Sequence, residues 1–359
     1  MYEPLTDVHI YTPGPVQMGA ETLALGARQT PYFRNSEFSR ILLECERLLL
    51  SLVNAPADSR CVFLTAAGTA AMEATVINLL GPERTAGIIN GGSFGQRFLD
   101  ICRLHGVPAT NLIVDRDSLT DGVTLGRVGP VGALLVNAHE TSVGHLYDLR
   151  RTGQWCRDHG ALHIVDAISL FVTDPLDMSE QAIDALIISS HKGLALPPGL
   201  AMVVLSPQAL AAVRPSGSFY LDFGAHLRDG TRGQTPFTPA VSIVLQLHQR
   251  LEQLGTSGLA SEWQRVAGLA AHFRRQIHGL PLQPYSRSMP NAMTALEVTN
   301  GHSAQVIVTR LREEYRCIVA PNGGPLGARV FRVGHMGALD LADMDRLVLA
   351  LRAVLGGSS

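Results

Sequence analysis

Through most of this chain, short apolar runs of strand length alternate with stretches of helical spacing, and that alternation admits few folds. Residues 62–64, 87–90, 111–114, 133–137, 162–166, 184–189 and 200–205 read as strands. Phe38, Ile41, Leu42, Cys45, Leu48 and Leu49 recur at helical spacing after Asn35 and Ser36, a capping pair, and 70–80 reads as a second helix. The alternation predicts an α/β fold: a large domain built on a mainly parallel seven-stranded sheet. After Gly279 the pattern changes. Strands over 291–298, 316–320 and 329–333, with helices over 302–315 and 341–355, predict a smaller α+β C-terminal domain. Helices over 239–254 and 259–278 read as the bridge between the two. There is no internal repeat and no low-complexity linker.

The remaining bounds are broad. A 46% hydrophobic fraction over 359 residues suffices for a large core and a second domain. The net charge of −2, with Lys and Arg scattered, points to no nucleic-acid or membrane-surface partner. No apolar stretch reaches the roughly 18 residues a spanning helix needs. The start, Met1-Tyr2-Glu3-Pro4, shows no basic region leading into an apolar core, so no signal peptide is expected. Cys45, Cys61, Cys102, Cys156 and Cys317 are odd in number and form no CxxC pair, which suits a reduced cytoplasmic protein.

The chemistry concentrates after two adjacent strand-like runs. One ends in Asp166, and the next leads into Ser189-Ser190-His191-Lys192-Gly193. A lysine amine that forms a Schiff base, with a carboxylate that keeps a pyridine nitrogen protonated, is what a pyridoxal 5′-phosphate (PLP) site needs. Taken singly, Lys192 also reads as a surface loop lysine, and Asp166 as an N-cap for the following segment. Thr65 to Glu73 follows a strand and opens a helix, where free backbone N–H groups make an anion site. An ordinary strand–helix turn has the same sequence.

Together these segments resemble the class V aminotransferases of PLP fold type I, in the alanine–glyoxylate, serine–pyruvate and 2-aminoethylphosphonate branch. Residues 189–199 match that family's lysine loop, with His191 where Gln is commoner. The resemblance implies that Lys192 is catalytic and binds the cofactor, that Asp166 partners the pyridine nitrogen, and that Ser189 and His191 also belong to the cofactor-binding set. An imidazole at 191 either exchanges protons near neutral pH or serves only as a hydrogen-bonding substitute. The family usually has Gly-Ser-Gly-Thr at the phosphate turn. This chain has Ala66-Ala67-Gly68-Thr69, so a side-chain hydroxyl is lost at Ala67, while backbone contacts from Ala67 and Gly68 and the hydroxyl of Thr69 remain. Residues 90–97 resemble the loop whose aromatic residue, here Phe94, stacks on the cofactor ring. Thr141 aligns with the hydroxyl near the ring O3′. Residues 233–239 resemble a segment that reaches a partner subunit's phosphate through Thr235 and Thr238, which implies a homodimer with a shared active site. Arg332, in Phe331-Arg332-Val333-Gly334-His335, aligns with the arginine that grips the substrate α-carboxylate through two parallel hydrogen bonds. Tyr11-Thr12-Pro13-Gly14-Pro15 matches the family start.

The resemblance implies residues 16–255 as the large domain and 1–15 with 256–359 as the small one. It implies transfer of an amino group from alanine, serine or an aminophosphonate to a 2-oxo acid. The same apparatus serves a PLP-dependent lyase or carbon–carbon bond-forming enzyme acting on an amino acid such as S-adenosylmethionine; His191 and the altered phosphate turn motivate that alternative. Ser189-x-x-Lys192 matches a serine β-lactamase pattern, but no Ser-Asp-Asn or Lys-Thr-Gly follows. No G-x-G-x-x-G opens a helix, and no His or Cys spacing suits zinc, so no metal is expected. Tyr32, Arg34 and His335 are further candidates for the pocket wall.

Overall fold

A computed structural model describes residues 8–114 and 125–356. The Met1–Pro4 stretch behind the leader expectation lies outside these residues, as do residues 1–7 of the expected N-terminal share of the small domain.

Seven strands form the large sheet: β1 (Arg60–Leu64), β2 (Ala86–Asn90), β3 (Ala109–Ile113), β4 (Ala133–Asn137), β5 (Leu162–Asp166), β6 (Ala185–Ser189) and β7 (Ala201–Leu205). Their spatial order is β1-β7-β6-β5-β4-β2-β3. Only β7 runs antiparallel to its neighbours. A second sheet of four antiparallel strands follows: β8 (Leu282–Pro284), β9 (Met293–Val298), β10 (Ala320–Pro321) and β11 (Val330–Gly334), ordered β8-β9-β11-β10. The principal helices are α1 (Ser36–Leu52), α2 (Gly68–Leu79), α3 (Ser93–Leu104), α4 (Leu149–His159), α5 (Val241–Ser257), α6 (Leu259–Gln276), α7 (Ala304–Tyr315) and α8 (Leu341–Gly356). The α/β class and the mainly parallel sheet agree with the sequence reading.

The strands read as unbroken apolar runs because both sheet faces are covered. Side chains alternate across a strand. Leu134, Val136, Leu186, Ile188, Met202 and Val204 therefore meet α1 and α5 on one face. Leu135, Ile164, Ile187 and Val203 meet α2 and α3 on the other. The Asn35 carboxamide accepts the Phe38 N–H at 2.8 Å, capping α1 as its sequence predicts. A third core unites Tyr11 with Phe273, Phe331, Leu347 and Leu351. His9–Ile10 pairs in parallel with Cys317–Ile318, and the Tyr11 hydroxyl donates to Asp343 O at 2.9 Å. The N-terminal segment is thereby fixed against the C-terminal sheet.

Two expectations need correction. The single strand expected over 316–320 is two short pieces, because Cys317–Ile318 pairs with the N-terminal segment while β10 pairs with β11. The sequence reading also omits α3 and α4. In α4 the buried positions keep helical spacing, but three of the four are Thr152, Gly153 and Cys156, too small to give an apolar signal.

Leu347 is fully buried in the third core. Leu347→Ala should cost about 2–5 kcal/mol, read as a fall in denaturant midpoint with an unchanged slope.

Candidate active site

Asn137 and Asp166 are the last residues of the adjacent parallel strands β4 and β5, in register with each other. Ser189 ends β6, the next strand, and Lys192 follows in the turn. Four polar groups are thus delivered to the carboxyl edge of the sheet, where open α/β sheets bind ligands.

Lys192 is 8% exposed, and its Nζ donates to Pro13 O at 2.7 Å. Burial pulls the amine down to about 8, Arg332 and Arg97 push in the same direction, and Asp166 opposes them. Burial lifts the Asp166 carboxyl to about 6, against hydrogen bonds from Ile168 N–H (2.9 Å) and Asn137 Nδ2 (2.7 Å). The N-terminal segment lies directly on the lysine. Gly14 has φ +128°, and a Cβ there would sit 2.4 Å from Lys192 Cδ and 2.7 Å from Nζ.

The start of α2 reaches the same place. Its N-cap, Ala67, offers no side-chain cap, so the first N–H groups of the helix stay free of one. A Cβ on Gly68 would lie 2.4 Å from Ile168 Cδ1 and 3.4 Å from Ser189 Cβ, which brings this turn against the ends of β5 and β6. Arg97 Nη1 donates to Thr69 Oγ1 at 3.0 Å, and its guanidinium lies 4.6 Å over the Phe94 ring.

Phe94 is held from below. Gly92, the N-cap of α3, has no side chain to cap with. The fully buried Glu140 takes over, accepting from Phe94 N–H (3.2 Å), Gly95 N–H (3.0 Å) and Ser142 N–H (3.3 Å). Thr141 is buried, its hydroxyl 2.8 Å from Ser169 Oγ. His191 Nδ1 lies 3.0 Å from Ser189 Oγ. Burial, then Lys192, pulls this imidazole down to about 4. That direction favours the neutral imidazole, which suits the hydrogen-bonding alternative better than proton exchange near neutrality.

Phe331 and Val333 face the third core, so alternation turns Arg332 the other way, into a cavity of about 870 Å³ that Phe94 also lines. Its Nη2 donates to Pro321 O at 2.8 Å and its buried Nε has no partner. Lys192 and Asp166 do not line this cavity.

Not every expected residue converges on the site. Thr235 is buried, and its hydroxyl donates to Phe237 O at 2.7 Å within its own chain; Thr238 is exposed. Arg34 binds Gln234 Oε1 and the carbonyls of Thr235 and Pro236, so it shapes this segment from within. His335 is a core residue, 2.9 Å from Asn291 O, and Tyr32 is exposed. Sequence reasoning passed over Asn137, His139, Glu140 and Arg97. Arg97 is one helical turn beyond Phe94, and Glu140 is a carboxylate directly after a buried strand; those positions were the available signals.

The family profile described as “Aminotransferase class-V” matches residues 21–330. A Synechococcus protein named as the small subunit of a soluble hydrogenase is 30% identical, covering 96% of this chain and 91% of its own length. An L-aspartate–glyoxylate aminotransferase of Paracoccus denitrificans is 28% identical, covering 92% and 86%. An aspartate aminotransferase structure from Thermus thermophilus superposes with a TM-score of 0.91 at 27% identity, covering 97% of this chain and 99% of that one. Among the described residues, no group of three or more His, Cys, Asp or Glu is placed to hold a metal ion.

Two outcomes follow from the lysine's setting. Gly14→Ala should displace the Lys192 side chain, since backbone and clash are both unfavourable; reductive labelling of Lys192 by an aldehyde should rise in the variant. In the ligand-free protein, Lys192→Met should stabilise, by on the order of 3 kcal/mol at pH 7. The native amine is depressed from 10.5 to about 8, so the gain is full below pH 8 and fades as pH rises to 10.5. Melting temperature against pH for the two proteins checks both the sign and the window.

Proposed function

This chain belongs to the class V aminotransferases and has the fold type I architecture of PLP enzymes; from that premise we propose that Lys192 carries PLP and that the enzyme moves an amino group from a small amino acid to a 2-oxo acid. The observation that carries the reading is a buried amine, pulled down to about 8, beside a buried carboxylate at the carboxyl edge of the sheet. Alanine, serine or an aminophosphonate would be the donor. Glyoxylate, the acceptor for which the Paracoccus relative is named, or pyruvate would be the acceptor.

The residues fit the cofactor. Asn137 Oδ1 and both ring nitrogens of His139 are buried without partners, and the start of α2 lacks a side-chain cap. When bound, PLP supplies an electron sink for the substrate α-carbon. Lys192 would bind the cofactor covalently and, once freed, move the proton at that carbon; a lowered amine pKa suits that work. Asp166, kept ionised by Asn137 and Ile168 N–H, would hold a proton on the ring nitrogen. Phe94 would offer the ring a flat face, positioned by Glu140. Backbone groups of Ala67, Gly68 and Thr69, with Arg97, would take the phosphate. Thr141 would serve the ring oxygen, while Ser189 and His191 brace the lysine turn. Arg332 would hold the α-carboxylate.

The same reading includes a cytoplasmic homodimer whose partner segment completes the phosphate site. Of the two candidates, Thr238, which is exposed, is the better donor for that role than Thr235, whose hydroxyl is used within its own chain. Among the described residues, no helix is long and apolar enough to cross a membrane. Residues 16–255 would act as the large domain, and 1–15 with 256–359 as the small one. The lyase or carbon–carbon bond-forming alternative loses one motive at His191, whose imidazole burial pulls down to about 4.

Borohydride treatment of the PLP-loaded enzyme should fix a pyridoxyl mass on the peptide containing Lys192, and Lys192→Ala should carry none. Labelling elsewhere would overturn the assignment. Amino acid donors should yield oxo acid, and glyoxylate or pyruvate should then be aminated; a donor consumed with no oxo acid ever accepted would move the enzyme to elimination chemistry. Arg332→Gln should raise the donor KM roughly 10- to 100-fold while leaving PLP affinity unchanged, measured by cofactor titration alongside initial rates.

A further inference from the structure

Buried polar atoms without partners are costly and uncommon. Nine such side-chain atoms occur among the described residues, and six of them belong to Asn137, His139, His145, Tyr147 and Arg332. The proposed function uses Asn137, His139 and Arg332. It leaves His145 Nε2 and the Tyr147 hydroxyl unexplained.

Both residues line the cavity of about 870 Å³ that also contains Phe94 and Arg332. They are 5% and 4% exposed, and their rings meet edge to face with centroids 4.7 Å apart. An alanine methyl would leave most of this space empty. The close approach of Gly91 preserves the room around the tyrosine: a Cβ there would lie 2.0 Å from the Tyr147 hydroxyl.

Hydrogen bonding sets what this wall can recognise. Ser286 Oγ lies 3.3 Å from Ser288 O, a contact that only the serine proton can make. Its second contact, at 2.9 Å to His145 Nδ1, coexists with the first only if the imidazole donates. Nε2 is then a bare acceptor, and burial lowers the pKa of the ring. The Tyr147 hydroxyl remains free to donate. Among the described residues lining the cavity, Arg332 is the only charged side chain, and the proposed function commits it to the α-carboxylate. Among the described lining residues, no cation is left for a second anionic group.

We propose that His145 and Tyr147 form a side-chain subsite that selects amino acid donors ending in a primary carboxamide. The amide N–H₂ donates to His145 Nε2, and the amide oxygen accepts from Tyr147. The inference rests on the reading of Arg332 as the α-carboxylate clamp. It refines the proposed donor class by ranking carboxamide donors above alanine and above donors with a second negative charge.

Calorimetric titration of the PLP-loaded enzyme in oxo-acid-free buffer tests it, with L-asparagine and L-glutamine set against L-aspartate, L-glutamate and L-alanine. At least one amide should bind about tenfold more tightly than its isosteric acid and than alanine. Tyr147→Phe and His145→Val should each erase about tenfold of that preference and leave alanine within about twofold. Ligand-free Tyr147→Phe should melt no lower than the wild type, because its hydroxyl has no partner to lose; a purely structural tyrosine would melt lower. Acids binding as tightly as amides, or variants that weaken amide and alanine equally, would overturn the subsite. If His145→Val does not fold, Tyr147→Phe decides alone. Amino transfer to glyoxylate is assayed in parallel. Amide selectivity without transfer from any donor would overturn the proposed function and keep the subsite; transfer without amide selectivity would do the reverse.

Discussion

The structure turns on one unfavourable placement: an amine and a carboxylate taken out of water at the ends of neighbouring strands. Neither group is comfortable. Burial lowers Lys192 to about 8 and raises Asp166 to about 6, and their mutual attraction recovers only part of the cost. A charged pair survives there because the surrounding fold dictates its position. Parallel pairing aligns Asn137 with Asp166, β6 leads into the lysine turn, and the Pro13 carbonyl closes over Nζ. The N-terminal segment that supplies this carbonyl is itself held by Cys317–Ile318 and by the third core. The two sheets are thus joined at the lysine.

A second layer of polar contacts fixes what surrounds the pair. Glu140 is fully buried, yet three backbone N–H groups and the Ser142 hydroxyl satisfy its carboxyl oxygens. That arrangement replaces the missing cap of α3 and sets the position of Phe94. Arg97 then spans from the Phe94 ring to Thr69, tying the aromatic wall to the start of α2. The turn that has no hydroxyl at Ala67 thus has a guanidinium against Thr69. Of the nine buried side-chain polar atoms without partners among the described residues, four belong to His139, His145 and Tyr147, in the segment that follows β4, where His139–Glu140 pairs with His145–Leu146.

Much of the fold was legible because its signals are local. Strands buried on both faces read as continuous apolar runs, and the Asn35 cap announces α1. The signal failed where burial uses small residues, as in α4, and where a strand serves two sheets, as at 317–321. In the candidate site, Lys192 and Asp166 could be named from residue type and flanking pattern, and Phe94 and Arg332 from the family resemblance. Glu140 and Arg97 were not, since their importance lies in contacts 46 and 28 residues away in sequence. Thr235 shows the opposite failure: its segment matches the family pattern, but its own hydroxyl folds back onto Phe237.

The sequence by itself determined the α/β class, the seven strands of the main sheet, and the residue types able to bind an aldehyde cofactor and a carboxylate. These follow from periodicity and from side-chain chemistry, which each residue carries with it. Tertiary structure alone decided that burial lowers the Lys192 amine and the His191 imidazole, and that His145 and Tyr147 line a cavity while each keeps a polar atom unpaired. Those properties depend on desolvation and on hydrogen-bond partners brought together from distant segments, and no residue carries either in its own identity.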